Sequence, residues 1–448
     1  KNNYFGLIIN ISIPNKIRIN NKKTNGYFIR RLAIDYNIPT LTNIKCAKLY
    51  ASSIIKCYDE SLCISHTDVQ TTDRYVKLPL FIDMHVHVRE PGDEHKETWK
   101  TCSQASLKGG IGMICAMPNT KPSCVNETVY NQVNDIAKKD SECDYMIFMG
   151  ANGTNYNDMI LMNSKVCGIK FYLNDTYSDL KLDDISVLRK YFQKCPDDML
   201  MCFHSENKTL GLVLYLTSIY KKRVHICHVS RRDEIELIKD AKKNGLQVTC
   251  EVTPHHLFLT EELRENLDTK LVSVKPNMSS DDDIKALWEN MDIIDCFATD
   301  HAPHLLDEKY GGCPGFAGLE TAVPLLLDAV NKGRLTINDL VNKYCKNPKK
   351  ILRLDDNYGL DSYMDVNMDK KWIISNDLLK TKAQWTPFDG LEVQGSIEHV
   401  VLNGNGINVN IFKHEKVKPN ISSPINEIST FVTKETHYNF TRDRKSTR

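Results

Sequence analysis

The sequence lacks any long hydrophobic run. No stretch of its 448 residues approaches the ~20 consecutive apolar residues of a membrane-spanning helix. The apolar segment YFGLIINISI near the start has neither a basic lead nor a small-residue cleavage site, so it is not predicted to be a signal peptide. A charge excess is also missing, because 58 basic and 57 acidic side chains give a formal charge of +1. We therefore expect neither a membrane nor a nucleic acid as a partner.

Paired cysteine motifs are lacking as well. The fifteen cysteines are an odd number, and no two of them are spaced as CxxC. Many lie inside apolar, strand-like runs such as GMICAM, LMCFHS and VHICHV. Buried reduced thiols in a cytoplasmic protein explain this pattern more simply than a disulfide scaffold does.

What the sequence does contain, from about residue 76, is an alternation of short β-branched runs with amphipathic stretches. Eight candidate strands are VKLPLFIDMHVHV, IGMICAMPN, DYMIFMGA, VCGIKFYLN, MLMCFHSE, VHICHVS, LQVTCEVTPHH and IIDCFATDHAPH. Helical-looking segments such as RRDEIELIKDAKKNG separate several of them, which predicts βα units and a parallel sheet. Eight units predict an α/β fold of the (β/α)8 TIM-barrel type, with the active site where the strands end. A doubly wound open sheet is the alternative, but it would gather its ligands at one switch point.

Other segments flank this region, which we place at 76–415. Residues 1–56 are predicted to be a partial α/β piece of two strands and two helices, too small to bury a core alone, and 57–75 a linker. Residues about 392–413 alternate and turn like a small β element, with NGNG as the hairpin. Residues 416–448 are predicted to be a disordered linker or tail. The first residue, Lys1, is not a methionine, which fits a piece of a longer polypeptide.

Polar side chains that could bind a metal or take part in catalysis follow the predicted strand ends. In FIDMHVHVREPG, alternate positions hold Asp83, His85, His87 and Arg89, which places all four on one side of a strand. Later strand ends bring Asn119, Lys170, His204, His228, Glu251 and Asp300. Histidines in polar surroundings are assigned to the surface: His66, His95, His399, His414 and His437.

These strand-end residues form a set rather than isolated cases. A lone histidine in an apolar strand is usually a satisfied core residue, but several imidazoles and a carboxylate at one end of a barrel suit zinc. Lys170 alone would be interpreted as structural. With five other ligands around the same ring, a carboxylated lysine that bridges two metal ions is the better hypothesis.

FIDMHVHVREPG and ATDHAPH resemble the two signature motifs of dihydroorotases in the amidohydrolase superfamily. GIKFYLNDT, CFHSE, VHICHVS and CEVTPHHLFLT resemble the dihydroorotase region of the animal-type polypeptide that joins carbamoyl-phosphate synthetase, dihydroorotase and aspartate transcarbamoylase. The resemblance covers essentially all of residues 76–415. GLIINIS and GYFIRRLAIDYNIPTLTNIKCAKL resemble the end of the synthetase's regulatory (MGS-like) domain, which implies that 1–56 is its C-terminal fragment and that 416–448 leads toward the transcarbamoylase.

The resemblance implies a zinc-dependent cyclic amide hydrolase of the cytoplasm. Its reaction would be the reversible cyclisation of N-carbamoyl-L-aspartate to L-dihydroorotate plus water, in de novo pyrimidine (UMP) biosynthesis. The synthetase and transcarbamoylase modules of the same polypeptide would be partners, and the family usually forms homo-oligomers.

The resemblance also implies a role for each ligand. His85, His87 and Asp300 would hold one zinc ion, His204 and His228 the other, and carboxylated Lys170 would bridge them. Asp300 would in addition take a proton from the attacking hydroxide and pass it to the departing nitrogen. Cys227 and Glu251 resemble positions for a third zinc ion. For these two, a small core residue and a carboxylate that orients a ligand are equally open interpretations.

The implied substrate contacts are Arg89, Asn119, Thr176, Lys275, His304 and Pro314. An arginine fork grips a carboxylate bidentately, so Arg89 would select an anionic substrate. For Asn119 and His304, a turn former and a loop histidine stay open as alternatives. Lys275 stands where the animal-type enzymes are expected to have arginine, which predicts weaker substrate binding.

Two loops complete the implied site. Asp175, Thr176 and Tyr177 follow Lys170 and resemble the mobile loop that closes on the substrate. The loop LLDEKYGGCPGF is shorter than its animal-type counterpart, which affects the backbone contact assigned to Pro314.

Two other functions fit parts of the sequence. A dihydropyrimidinase- or allantoinase-like amidase would share the HxH ligands, but its uncharged substrates would leave Arg89 without a partner. A catalytically dead homologue kept as a scaffold typically lacks ligands, whereas every implied ligand is present here.

Overall fold

The computed structural model describes residues 74–355 and 357–408, together with 8–9, 29, 40–41, 47–48, 50 and 416–417. The chain divides into two compact units, 1–70 with 420–448 and 71–419. In the first unit, β1 (Ile8–Ile9) pairs in parallel with β2 (Thr40–Leu41), inside the two predicted strands. Most of the predicted segments 1–56, 57–75 and 416–448 lie outside the described residues, as do His66, His414 and His437.

The first strand predicted for the barrel is in fact two strands. β3 (Tyr75–Pro79) is partly exposed, whereas β4 (Phe81–Val86) is fully buried. Leu80 separates them, directly after Pro79, which has no N–H to continue a ladder. The prediction of one strand over 76–88 was therefore wrong, because β3 belongs to a different sheet.

The second unit is built around a closed barrel of parallel strands. The strands after β4 are β5 (Ile111–Ala116), β6 (Asp144–Ile147), β7 (Met149–Gly150), β8 (Ile169–Tyr172), β9 (Met201–His204), β10 (Val224–Ile226), β11 (Val248–Val252) and β12 (Cys296–Phe297). β6 and β7 are two parts of one strand, joined at Phe148, whose N–H donates to the Ala116 carbonyl at 2.9 Å. Val86 bridges His301 in parallel and closes the ring. The predicted eight-stranded barrel is confirmed.

Asp83 joins the two strands where the ring closes. Both of its carboxylate oxygens accept the Thr299 N–H, at 3.2 and 3.0 Å, and Tyr344 Oη donates to it at 2.9 Å. It also accepts the His85 N–H at 3.0 Å. This buried carboxylate therefore ties the strand that carries His85 to the turn that carries Asp300.

Helices cover the outside of the barrel. Their N-caps are mostly Thr, Asn, Asp or Ser side chains, such as Thr98, Asn126 and Ser280, that accept backbone N–H groups of the first turn. Between residues 74 and 408 the helices are Trp99–Lys108, Glu127–Asp140, Tyr156–Met162, Ile185–Lys194, Lys208–Tyr220, Arg232–Lys243, Pro254–Phe258, Glu261–Glu265, Asp281–Glu289, Leu306–Tyr310, Leu319–Asn331, Ile337–Val341 and Asn347–Leu352, with a π turn at Asn342–Lys346 and a 3-10 turn at Asn376–Leu378. No helix among the described residues is long and apolar enough to cross a membrane.

The small β element is larger than predicted. It is an antiparallel sheet in the order β16-β15-β14-β13-β3, in which β13 is Tyr363–Ile373, β14 is Glu392–Leu402, β15 is Asn405–Asn408 and β16 is Lys416–Val417. The predicted NGNG hairpin joins β14 to β15, because Leu402 pairs with Asn405 and leaves Asn403 and Gly404 as a two-residue turn. Their φ angles of 49° and 75° are those of a type I′ turn.

The described cysteines match the prediction of reduced core thiols. All twelve are free, and all but Cys313 are buried.

Candidate metal centre and substrate pocket

A pocket of about 360 Å³ opens at the carboxyl ends of the barrel strands. Ten of the fourteen predicted site residues line it: His85, His87, Arg89, Asn119, Thr176, His204, His228, Lys275, Asp300 and Pro314. Tyr172, Tyr177, Val274, Ala302 and Gly315 complete the wall. The other four predicted residues lie next to this pocket rather than on its wall: Lys170, Cys227, Glu251 and His304.

Asp300 is flanked by the two histidines of the HxH pair. Its Oδ1 lies 3.2 Å from His85 Nε2 and 3.1 Å from His87 Nε2. Burial alone would raise the pKa of the Asp300 carboxyl, but the neighbouring imidazoles outweigh burial and hold that pKa well below its usual range. Asp300 is therefore a carboxylate whose oxygen and two ring nitrogens converge on one point.

His204 and His228 form a second pair. His204 Nδ1 lies 2.9 Å from His228 Nε2, and His204 Nε2 lies 3.1 Å from Glu206 Oε1. Burial, followed by the charge of His204, holds the pKa of His228 well below its ordinary value. The His228 ring is therefore neutral, and its buried Nδ1 has no hydrogen-bond partner among the described residues.

Lys170 lies beneath both pairs and is fully buried. Its Nζ donates to Cys227 Sγ at 2.8 Å, and none of the ion pairs among the described residues involves it. Burial would lower the pKa of this amine, but the neighbouring Cys227 and Glu251 outweigh burial and raise that pKa, so the amine is a buried cation. Conversion of the amine to a carbamate would replace this buried cation with an anion.

Glu251 contacts two imidazoles. Its Oε1 lies 2.5 Å from His85 Nδ1, and its Oε2 lies 3.0 Å from His225 Nε2. This is the arrangement of a carboxylate that fixes the tautomer and the orientation of a metal-binding histidine. The ligand atoms of His85, Cys227 and Glu251 also lie within 4.8 Å of one another, so the geometry accommodates the third-metal hypothesis as well.

The donor set fits zinc. Among the described residues, three groups could hold a metal ion: His85 with His228 and Asp300, His85 with Cys227 and Glu251, and His225 with Glu251 and Cys296. All members are buried imidazoles, carboxylates or thiols, which are the ligand types of zinc. The unpartnered Nδ1 of His228 and the buried Lys170 amine are the two features that a bound metal would explain.

Arg89 lies on the pocket wall and is only 4% exposed. Its Nε donates to the Pro303 carbonyl at 3.2 Å, and one terminal nitrogen donates to His304 Nε2 at 3.0 Å. None of the ion pairs among the described residues involves Arg89. The guanidinium thus reaches the pocket as a buried cation that forms no ion pair with a carboxylate of the described residues.

His304 lies behind Arg89, fully buried, rather than on the pocket wall. Burial, together with the charges of Arg89 and Lys96, holds the pKa of His304 far below its usual range, so the ring is neutral. Because Arg89 always donates, His304 Nε2 is the acceptor nitrogen of the ring. His304 therefore orients Arg89.

Asn119, Thr176 and Tyr177 connect the pocket wall to the predicted mobile loop. Asn119 Oδ1 lies 2.6 Å from His87 Nδ1, and its Nδ2 donates to the Tyr177 carbonyl at 2.9 Å. The Tyr177 hydroxyl accepts from Lys96 Nζ at 2.9 Å and donates to Asp93 at 3.3 Å. In this structure the loop is therefore held over the pocket.

Three residues near the pocket were not predicted from the sequence: Lys96, Tyr172 and His225. The anchoring contacts of Tyr177 were not predicted either. Lys96 sits in the polar stretch EHKETW, which looks like a solvated loop, yet its side chain is 3% exposed. The neighbouring His95 is exposed, as predicted. Tyr172 follows Lys170 by two residues on β8 and thus faces the same side, which is the one signal that could have indicated it.

The backbone adopts a left-handed conformation at three site residues. The φ angles of Arg89, His228 and Asp300 are 71°, 35° and 48°. Such conformations cost of order 1–3 kcal/mol each for residues other than glycine, and they concentrate at functional sites. Each of the three aims a guanidinium, imidazole or carboxylate into the pocket from beyond the end of a strand.

Solved structures that are similar to this chain support the class of barrel that its fold indicates. L-Hydantoinase (dihydropyrimidinase) from Arthrobacter aurescens superposes with a TM-score of 0.70 at 21% identity, over 80% of this chain and 90% of that one. The inactive dihydroorotase-like domain of the Chaetomium thermophilum CAD-like multifunctional protein superposes with a TM-score of 0.63 at 25% identity, over 74% and 94%. The chain thus has the amidohydrolase-type barrel.

Sequence similarity identifies the family. The model of the family described as dihydro-orotase-like matches residues 75–209. The dihydroorotase of Pyrococcus furiosus is 36% identical over 346 residues, which cover 73% of this chain and 80% of that protein. The chain belongs to the dihydroorotase family.

The multifunctional relatives are similar over a longer part of this chain. Multifunctional protein CAD of Squalus acanthias is 43% identical and multifunctional protein pyr1-3 of Dictyostelium discoideum 41% identical, each over 406 residues and 90% of this chain. The matched region spans only 18% of the length of each of these relatives.

Proposed function

We propose that this chain is a zinc-dependent dihydroorotase that interconverts N-carbamoyl-L-aspartate and L-dihydroorotate. Arg89 is the observation that carries the choice of substrate. A buried guanidinium that forms no ion pair within the described part of the chain suits a ligand that brings its own carboxylate. Dihydroorotate carries one beside its ring amide, whereas the uncharged rings of hydantoins and dihydropyrimidines do not.

The proposed metal ligands follow the two histidine pairs. His85, His87 and Asp300 would hold one zinc ion and His204 and His228 the other, with carboxylated Lys170 between them. When bound, zinc would polarise the ring amide carbonyl and lower the pKa of water. We assign Glu251 to the orientation of His85, and a third zinc ion at Cys227 and Glu251 stays an alternative.

Asp300 would act as the proton carrier. In the hydrolytic direction, the oxygen of water adds to the amide carbonyl carbon and the ring C–N bond breaks. The Asp300 carboxylate would take the proton from that oxygen and deliver it to the departing nitrogen. A carboxylate suits this task here because the His85 and His87 rings keep it ionised before the reaction.

The pocket wall would position the substrate carboxylate. Arg89 would grip it, His304 would hold Arg89 in place, and Asn119, Lys275 and the backbone at Pro314 would add further contacts. Thr176 would contact the substrate from the loop that Tyr177 anchors, and the loop would keep bulk water out.

The surrounding polypeptide is also a matter of proposal. By analogy with the multifunctional relatives, residues 1–56 would end a synthetase regulatory domain and residues 416–448 would lead toward a transcarbamoylase. The chain would then act in the cytoplasm, in de novo pyrimidine biosynthesis, as part of a homo-oligomer.

The decisive assay compares two substrates on zinc-loaded protein. We expect turnover of dihydroorotate and of carbamoyl-aspartate, and little or no turnover of dihydrouracil. Arg89→Met should raise KM for dihydroorotate about a hundredfold, because a charge-assisted bidentate contact is lost. The KM of Arg89→Lys, which keeps the charge but lacks the planar fork, should fall between those of the wild type and Arg89→Met.

Contrary results would point to specific alternatives. Preference for dihydrouracil would favour a dihydropyrimidinase-like enzyme. Absence of both bound zinc and activity would favour an inactive homologue, as in the Chaetomium relative. Against that second alternative, every proposed zinc ligand is present in this chain and buried around one pocket.

Lys275 provides a second test of the carboxylate contact. It is half-buried on the pocket wall, and no hydrogen bond or ion pair links it to the described residues. Lys275→Arg should lower KM for dihydroorotate several-fold and leave kcat nearly unchanged, because the fork adds a second donor to the same anion. An increase in KM would show that the shorter, compact ammonium is the better fit.

A further inference from the structure

Lys309 is a buried lysine that neither the proposed metal centre nor the predicted substrate contacts use. It lies in the short helix Leu306–Tyr310, and its side chain is fully buried. Its Nζ donates to two backbone carbonyls, that of Ser273 at 2.5 Å and that of Gly315 at 3.1 Å. The rings of Phe316 and Trp385 enclose it, with centroids 5.0 and 5.4 Å from Nζ.

The two carbonyls belong to the loops that form one wall of the pocket. Val274 and Lys275 line it from one loop, and Pro314 and Gly315 from the other. The Gly315 N–H donates to the Ser273 carbonyl at 3.0 Å, so the loops meet at the point that Lys309 contacts. Gly315 has a φ of 140°, and a Cβ there would lie 2.4 Å from the Ala302 carbonyl oxygen, so this junction has a fixed backbone.

This amine carries an electrostatic cost. None of the ion pairs among the described residues involves Lys309, and burial lowers its pKa to about 7. A side chain of similar length without charge would pack between the two aromatic rings without that cost. What an apolar side chain cannot supply here is the pair of hydrogen bonds that ties the loops together.

We propose that Lys309 is a positioning residue that joins the Val274–Lys275 loop to the Pro314–Gly315 loop and so fixes the wall that binds the substrate carboxylate. The inference rests on the proposed function for the identity of the ligand. Lys309 touches neither the substrate nor the proposed zinc ligands. Its loss should therefore affect substrate binding more than the chemical step.

The test is Lys309→Met in the full chain, with zinc content, KM and kcat measured for dihydroorotate. Methionine keeps the length and packs between the rings but donates no hydrogen bond. We expect KM to rise on the order of tenfold, because displaced contacts of this size cost about a factor of ten in affinity. Zinc content should not change, and kcat should change less than threefold. Lys309→Arg retains hydrogen-bond donors, so its KM should lie closer to the wild-type value than that of Lys309→Met.

Lys343→Met is the matched control. Lys343 is also buried, and its Nζ also donates to two backbone carbonyls, those of Met291 and Ile294, both at 2.6 Å. These carbonyls precede β12, at the end of the barrel away from the pocket. Lys343→Met should therefore lower the melting temperature without moving KM.

Hydrogen exchange tests the loop contact without reference to activity. In Lys309→Met, peptides covering 271–277 and 311–317 should exchange faster, while those covering 81–88 and 200–206 should not. If wild type proves inactive but these peptides respond, the proposed function fails and the loop contact stands. Unchanged exchange, an unchanged KM, or a KM shift shared by Lys343→Met would overturn the proposal. If Lys309→Met does not fold, Lys309→Leu, which also donates no hydrogen bond, carries the same expectations.

Discussion

Asp300→Asn is expected to lower turnover of dihydroorotate by 10²–10⁴-fold, the range for a lost general acid–base group. Asparagine has the same shape and still presents an oxygen toward His85 and His87. It cannot take a proton from the attacking oxygen, nor deliver one to the ring nitrogen. The measurement is kcat in both directions on protein whose zinc content is determined in the same preparation.

Zinc content separates the two roles proposed for Asp300. If zinc is retained and kcat collapses, the proton-transfer role accounts for the loss. If zinc falls in parallel with kcat, Asp300 acts chiefly as a ligand. Near-normal turnover would contradict both assignments.

Asp295→Asn serves as the control for Asp300→Asn. Asp295 directly precedes β12, at the end of the strand opposite to Asp300. There it pairs with Lys242 and accepts the Cys250 N–H. Its replacement should lower stability and leave kcat unchanged. A similar loss of kcat in both variants would show that damage to β12, rather than chemistry, explains the effect of Asp300→Asn.

The barrel could be predicted from the sequence because its strands are buried on both sides. Runs such as IGMICA and MCFH are apolar throughout, and helical segments separate several of them, a pattern typical of parallel sheets. β3 was wrongly merged with β4 because both are apolar enough to look like one strand. β3 is distinct from β4 because it pairs with β13, almost 300 residues later in the chain. No local sequence pattern indicates that pairing.

The proposed metal ligands could be located from the sequence for the same reason. His85 and His204 lie at the carboxyl ends of β4 and β9, and His228 and Asp300 follow β10 and β12. In a parallel barrel the carboxyl ends of all strands meet at one face. Lys96 and Lys309 could not be located this way. They lie in polar loop or short-helix segments, and their burial arises from contacts with Tyr177, His304, Phe316 and Trp385, which other parts of the chain supply.

For His304, the sequence indicates a location but not the contacts of the ring. The motif ATDHAPH predicts that it lies near the proposed carboxylate site, and its Nε2 lies 3.0 Å from Arg89. The groups that contact its two ring nitrogens are Arg89 and Lys96, which both lie in the loop between β4 and the helix Trp99–Lys108. Only the folded arrangement shows that His304 is a neutral acceptor behind the guanidinium.

Lys170→Ala is expected to abolish turnover and to remove most of the bound zinc. If Lys170 is carboxylated, its amine adds to CO₂, a proton is released and the resulting carbamate supplies two oxygen ligands that no neighbouring side chain can replace. Alanine leaves His204 and His228 without that anion. If Lys170 were instead a structural partner of Cys227, Lys170→Ala would be destabilised yet would keep stoichiometric zinc.

Reconstitution distinguishes these two roles of Lys170. Metal-free wild type should regain activity faster with zinc when bicarbonate is supplied, because carbamate formation consumes CO₂. Lys170→Ala should stay inactive under either condition. Lys222→Ala is the control, because Lys222 is a buried lysine on the outer side of the barrel that binds the Cys195 carbonyl at 2.7 Å and pairs with Asp197. Zinc uptake and activity in Lys170→Ala equal to those of Lys222→Ala would contradict the bridging role. A bicarbonate response confined to chains that retain Lys170 would support it, because carbamate formation needs that amine.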